Sequence, residues 1–281
     1  MSGGLPDFLV IGAQKSGTTT LADRLAAHPD VHLPAQEVHY FSHRYERGLD
    51  WYRRAVAGAP PGALLGEKSP SYLTDTAAPA RIAAALADVR LIAVLRDPVD
   101  RAYSHYWHNR RLAKEHLGFA EAVAAEPTRT AGGSAVLRAR YGYLDGGRYA
   151  EHLGRFAGLF EDRLLVLVFE ELCSDQDAVV GEARRFLELP PRPEPRIGAI
   201  ARPVVRNAYV EYRSQRLRRI ARHLPRPLAA ATYRVNRRTA TYPPLDPGLR
   251  RDLADEFRAG DDLVAARLDR SLPWTSQGGS P

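Results

Sequence analysis

Residues 6–25 read PDFLVIGAQKSGTTTLADRL, and the fold follows from how that stretch divides. Phe8 to Ile11 is an apolar, partly β-branched run of strand length and reads as a buried strand. Gly12 to Gly17 (GAQKSG) is a tight loop with glycine at both ends, and a helix is expected from Thr18 onward. A strand, a glycine-bounded loop and a helix start together form an anion cradle. The N–H groups of a first helical turn lack intrahelical partners, and the helix dipole favours negative charge there. The two glycines let the backbone turn sharply and approach a ligand closely.

The position of the lysine narrows the ligand. A nucleoside-triphosphatase loop reads GxxxxGK[ST], with lysine directly after the second glycine. Here that position is Thr18, and the lysine is Lys15, inside the loop. Its ammonium is therefore expected above the loop, nearer a 5′ leaving-group oxygen than a γ-phosphate.

Working outward, several further stretches read as strands. They are Val31 to Leu33, Ala63 to Glu67, Arg90 to Leu95 (RLIAVL) and Leu164 to Phe169. Helices are expected over Leu49 to Val56, Thr74 to Leu86, Pro98 to about Ala113, Tyr149 to Phe160, Ala178 to Leu187 and Pro247 to Leu268. Pro98 suits a first helical turn. Leu112 to Gly147, with Gly132 and Gly133 inside it, reads as an irregular lid or recognition insert. Strands alternating with helices imply an α/β fold, a parallel sheet covered on both faces, with ligands at the carboxyl ends of the strands. Pro190 to Pro195 is a proline-rich connector, but the part after it is short, and one domain over residues 1–281 is expected.

Composition sets the class. A chain of 281 residues that is 44% hydrophobic and 26% charged suits a water-soluble globular protein. Its apolar runs are too short to span a bilayer. The start, MSGGLPDF, has neither the basic region nor the apolar core of a signal peptide, and Cys173 is the single cysteine. A cytoplasmic location is therefore expected, and the alanine- and arginine-rich composition suits a bacterial protein. The net charge of +7 is uneven: Arg206 to Arg238 holds ten arginines against one acid, Glu211. That segment suits a wall for an anionic ligand or a solvated basic helix. No zinc-finger spacing or aromatic RNA-binding motif accompanies it, so no nucleic-acid partner is expected.

Lys15, Lys68 and Arg96 each follow a predicted strand, so a parallel sheet brings three cations to one crevice. Such a cluster argues for a multiply charged anion. Ser104 lies about two helical turns beyond Arg96, where the pair can grip one phosphate from two sides.

These segments resemble the sulfotransferases that use 3′-phosphoadenosine 5′-phosphosulfate (PAPS). GAQKSGTTTL is similar to their 5′-phosphosulfate loop, and LIAVLRDPVDRAYSHYWH to their 3′-phosphate strand and helix. QEVHYF and GEKSPSYL resemble the branch that contains the heparan sulfate glucosaminyl sulfotransferases and many bacterial enzymes. The resemblance implies a P-loop-type three-layer α/β/α fold. It also implies sulfonate transfer from PAPS to a small-molecule or glycan acceptor, at a hydroxyl ahead of an amine. The bacterial composition suits a role in secondary metabolism, and no metal is expected, since the transfer requires none and the sequence shows no metal-ligand cluster. By the same resemblance Lys15, Ser16, Gly17, Thr18 and Thr19 would hold the 5′-phosphate and sulfonate. Arg96 and Ser104 would hold the 3′-phosphate, and Arg213 is the candidate from a late basic segment. Glu37 would be the general base, with His39 and Lys68 in support and His105 as a rival base. Tyr40, Phe41, Tyr72, His105 and Trp107 are candidates for the acceptor pocket, with a place in the core as the alternative for the aromatic residues. The competing readings are a nucleotide kinase or triphosphatase, and a non-catalytic anion- or glycan-binding module on the same fold.

Overall fold

The computed structural model describes residues 4–191, 209–212, 214–221, 224, 226–240 and 243–275. Five strands form the central sheet: β1 (Phe8–Gly12), β2 (Val31–His32), β3 (Leu64–Lys68), β4 (Arg90–Leu95) and β5 (Leu164–Val168). All neighbours are parallel, in the order β2-β3-β1-β4-β5. Strand β1 sits in the middle, with β3 on one side and β4 on the other, so the chain reverses its direction of travel across the sheet at β1. Ligand crevices in open α/β sheets form at that point, beyond the carboxyl ends of the strands.

The strands alternate between two buried faces. Phe8, Val10, Ile92 and Val94 face one core, packed with Leu21 and Leu25 of helix Thr18–Ala26 and Val179, Val180 and Ala183 of helix Gln176–Phe186. Leu9, Ile11, Leu91, Ala93 and Leu95 face the other, against helix Tyr149–Phe160 and Val264 of helix Pro247–Leu268. A strand buried on both faces is apolar throughout, as β1 and β4 are. A methylene at Gly66 would lie 2.2 Å from the Phe8 ring, so the close approach of β3 to β1 requires glycine there.

Helix Pro98–Arg111 leaves β4 and carries much of the site. Asp97 caps it, accepting from the N–H groups of Val99 (2.8 Å) and Asp100 (3.1 Å), with Pro98 in the first turn. Arg250 holds Asp97 (2.8 Å) and Asp100 (2.6 Å) from the last long helix.

Residues 112–147 are not the irregular segment that the sequence suggests. They form three short helices, Phe119–Ala124, Glu126–Thr130 and Ala135–Tyr141, on a small core shared with Val99, Ala102 and Tyr106 of helix Pro98–Arg111 and Leu253 and Phe257 of helix Pro247–Leu268. Phe119 and Ala122 anchor it, and the buried Glu126 carboxylate accepts from the N–H groups of Leu144 and Asp145. Element ends differ as well. The helix expected from Thr74 begins at Ala78, because Asp75 takes the N–H groups of Ala77 and Ala78 in a turn. Phe169 opens a helix instead of ending β5. Within the basic segment, Tyr209–Tyr212 and Arg237–Ala240 pair as an antiparallel hairpin that flanks two helices, Gln215–Ala221 and Arg226–Asn236. Among the described residues, no helix is long and apolar enough to cross a membrane.

Candidate active site

The loop after β1 supplies the floor of the site. Gly17 caps helix Thr18–Ala26 with φ 80°, and the helix has neither a side-chain cap nor an acid in its first turn. Its N–H groups are thus left for an anion. A methylene at Gly17 would lie 2.7 Å from Phe169, so this turn requires glycine on two counts. Lys15 also takes a left-handed φ, 74°. Arg96, at the end of β4, donates to the Lys15 carbonyl (3.2 Å), and its guanidinium lies over the Phe169 ring at 4.7 Å.

Charge is concentrated above this floor. Burial, followed by repulsion from Arg111, Arg96 and Arg101, lowers Lys15 to about 8, with Glu37 offsetting part of the effect. His108 is lowered to about 3 by burial and by the charges of Lys15, Arg111 and Lys114. It is therefore neutral at physiological pH, and its Nδ1 accepts from Arg111 (3.0 Å). Cations that depress one another in this way gain from an anion placed among them.

Glu37 faces the same space. Its Oε1 accepts from Lys68 Nζ (2.6 Å) and its Oε2 lies 3.1 Å from His39 Nε2. Lys68 Nζ also donates to Thr19 Oγ1 (3.1 Å), which ties the acid to the first turn of the loop helix. Burial works to raise the Glu37 carboxyl, but the His39 and Lys68 hydrogen bonds outweigh it and hold the group at about 2. His39 itself is anchored from the other ring nitrogen, Nδ1, by Ser71 (2.8 Å).

Two cavities meet at this carboxylate. The larger, of about 280 Å³, is lined by Lys15, Gly17, Thr18, Thr19, His108, Arg111 and Phe169. The smaller, of about 150 Å³, is lined by His39, His43, Arg101, His105 and Arg138. Gln14, Glu37 and Pro70 line both.

The structure thus brings Lys15, Gly17, Thr18, Thr19, Glu37, His39 and Lys68 together. Lys68 is ion-paired with Glu37 rather than a third unneutralised cation. Arg96 touches the loop, but neither it nor the buried Ser104 is part of either lining. Ser16, inside the loop, is fully buried. Arg213 lies outside the described residues. His105 lines the smaller cavity and is pushed well below its ordinary value by burial and by Arg101, His108 and Lys15.

The aromatic candidates fall in the core and not in the acceptor pocket. Tyr40, Phe41 and Tyr72 are core residues: Phe41 and Tyr72 are fully buried and Tyr40 stacks on Tyr52 at 4.5 Å. Trp107 packs against Tyr103 and Tyr106 in the third core. Aromatic residues next to a polar motif are used here to bury the motif's back. Conversely, sequence reasoning missed His108, Arg111, Arg101, His43 and Arg138. A signal existed for three of them, because Arg101, Ser104, His108 and Arg111 recur at helical spacing on one face of helix Pro98–Arg111. His43 and Arg138 carried no such pattern.

Residues 5–224 match the family model described as "Sulfotransferase domain". The chain belongs to the sulfotransferase family. It is 37% identical over 186 residues to human heparan sulfate glucosamine 3-O-sulfotransferase 3B1, covering 66% of this chain and 46% of that one. It is 36% identical over 200 residues to the human bifunctional heparan sulfate N-deacetylase/N-sulfotransferase 3, of which 23% is covered. The chain therefore spans less than half the length of these curated relatives. The crystal structure of a sulfotransferase from Alicyclobacillus acidocaldarius superposes with a TM-score of 0.72 at 25% identity, over 95% of this chain and 97% of that one. The sulfotransferase domain from the curacin biosynthetic pathway shares the fold, with a TM-score of 0.52 at 17% identity over 96% and 99% of the two chains.

Proposed function

We propose that this chain transfers the sulfonate group of PAPS directly, in line, to an acceptor hydroxyl, and releases adenosine 3′,5′-bisphosphate. The observation that carries the reading is the position of Glu37 in the shared wall of the two cavities. One is walled by the anion loop and the other by imidazole and guanidinium groups. A donor in the first and an acceptor in the second meet at the carboxylate.

PAPS supplies an activated sulfonate. The site suits it, because a bisphosphate nucleotide offsets the arginine repulsion that, after burial, lowers Lys15. The loop N–H groups and Lys15 bind the 5′ end and neutralise charge on the departing oxygen. Arg96 and Ser104, which lie outside both linings, take the 3′-phosphate by analogy with the family's strand-and-helix segment. Glu37 accepts the acceptor's proton, which is lost most readily late in transfer, when the hydroxyl has become acidic. His39 and Lys68 keep the carboxylate ionised and aimed. Such reactions depend on positioning and charge neutralisation more than on covalent help. The acceptor cavity, with Arg101 and Arg138 in its wall, suits an acceptor that carries an anionic group. Glycans containing glucosamine are the first to try, given the relatives' names. The single cysteine, Cys173, suits a reducing, cytoplasmic setting.

The test is transfer of radiolabelled sulfonate from PAPS to a panel of glucosamine-containing oligosaccharides, phenols and aliphatic alcohols. Labelled product with release of the bisphosphate, abolished in Glu37→Gln, is expected. A folded protein that labels nothing in the panel and releases no bisphosphate contradicts the reading.

A further inference from the structure

The residue before Lys68 on β3 carries a second glutamate, Glu67, and strand alternation turns it away from the cleft. Its side chain is fully buried among Tyr52, Tyr72 and Phe41. Among the described residues no cation pairs with it. Its Oε2 accepts from the Tyr52 hydroxyl at 3.2 Å and its Oε1 from the Ser69 hydroxyl. Burial pushes this carboxyl up, against the hydrogen bonds of Ser69, Tyr72 and Tyr52. Burying an ionisable group is costly, and a packed apolar side chain serves fold stability as well or better.

The Ser69 hydroxyl explains what the carboxyl does there. A serine hydroxyl has one proton and two lone pairs. With its proton given to Glu67, Ser69 Oγ presents a lone pair to the backbone N–H of His39, at 2.8 Å. His39 adopts a left-handed backbone, φ 55° and ψ 30°, at the start of helix Tyr40–His43. That conformation is uncommon for a residue with a side chain and is kept only where surroundings enforce it. It is also the conformation that lays Nε2 3.1 Å from Glu37 and Nδ1 2.8 Å from Ser71, which is itself held by Ser42 at 2.8 Å.

We propose that Glu67 is a positioning residue that acts through the Ser69 hydroxyl to hold His39 in its left-handed turn and thereby to hold the His39 ring on Glu37. The relay runs from the core side of β3 to the cleft side: Glu67, Ser69, His39, Glu37. The assignment of Glu37 as base rests on the proposed reaction, whereas the relay itself does not. The relay leaves the other titratable groups that face Glu37 in place, namely the cations Lys68 and Lys15 and the neutral imidazole of His108.

The experiment is a carboxyl-carbon NMR titration of the protein labelled at glutamate, with Glu37 assigned from Glu37→Gln. In the unaltered protein the expected Glu37 midpoint is about 2. In Ser69→Ala and Glu67→Leu the midpoint moves toward the ordinary 4.5, because the His39 hydrogen bond is released. In Glu67→Gln it stays near 2, because the amide oxygen still accepts from Ser69. A folded Ser69→Ala whose Glu37 midpoint does not move overturns the relay. Should both variants fail to fold, exchange of the His39 amide decides in the unaltered protein: protection supports the relay, and exchange at the free-peptide rate overturns it. Adenosine 3′,5′-bisphosphate is titrated into the same samples. A shifted Glu37 midpoint without any bisphosphate binding leaves the relay standing and removes the sulfotransferase reading.

Discussion

The two sides of strand β3 hold two glutamates in opposite states. On the cleft side, Glu37 has a side chain 38% exposed, takes hydrogen bonds from Lys68 and His39, and is held at about 2. On the core side, Glu67 is fully buried, has only hydroxyl partners, and is pushed up. The same side chain becomes a firm anion in one place and an orienting group in the other. Distance along the chain does not decide this. The partners do: cations stabilise the charged form, while burial without a cation disfavours it.

Breaking the cleft side should cost the most. Glu37→Gln is expected to lower turnover roughly 10²–10⁴-fold, the usual range for a general base, with bisphosphate affinity retained. Glu67→Gln should stay within a few-fold of the unaltered enzyme. Equal losses in steady-state assays would erase the contrast. Next in size, Lys15→Ala should lower turnover by about 10²–10³ through loss of one charge-stabilising donor, as single-turnover rates would show.

Gly17→Ala tests the floor beneath both. The left-handed φ and the Phe169 contact at 2.7 Å make it lose about 1–3 kcal/mol in denaturant unfolding. Bisphosphate binding should weaken in parallel, and a variant of unchanged stability would refute the geometry.

The smallest effects are in proton linkage. Lys15 is lowered to about 8, so in the free protein it loses its proton as pH rises through 8. An anion restores that proton, so bisphosphate binding at pH 9 should take up protons and binding at pH 6 should not take them up at Lys15. Calorimetry in buffers of different ionisation enthalpy measures this. Glu37 works in the opposite direction. Its folded value lies below the ordinary 4.5, so the stability it contributes is complete above 4.5 and is lost as pH falls toward 2. The melting difference between the unaltered protein and Glu37→Gln should shrink over that range.

The legible part of this molecule is the part written in local sequence. Phe8 to Gly17 announces strand, loop and helix because the apolar run and the glycines act over a few residues. Arg96-Asp97-Pro98 announces the end of β4 and a capped helix for the same reason. Helices 119–141 were hidden by their shortness, although Phe119, Ala122 and Val123 do have helical spacing. Tyr40, Phe41 and Tyr72 look like pocket residues in sequence because they adjoin polar motifs. Only the packing of Tyr40 on Tyr52, and of Phe41 on Tyr72, shows that they form the core behind the site. The Ser69–His39 bond joins residues 30 apart in the chain. No local pattern encodes it, and the left-handed turn at His39 has no glycine to mark it.

The most direct test of the account is calorimetric titration of adenosine 3′,5′-bisphosphate into the unaltered protein and Arg96→Ala, with ATP and magnesium as the comparison ligand. The account predicts tight binding of the bisphosphate, its loss in Arg96→Ala, and little binding of ATP. Binding of ATP in preference to the bisphosphate, or bisphosphate binding untouched by the substitution, would contradict it.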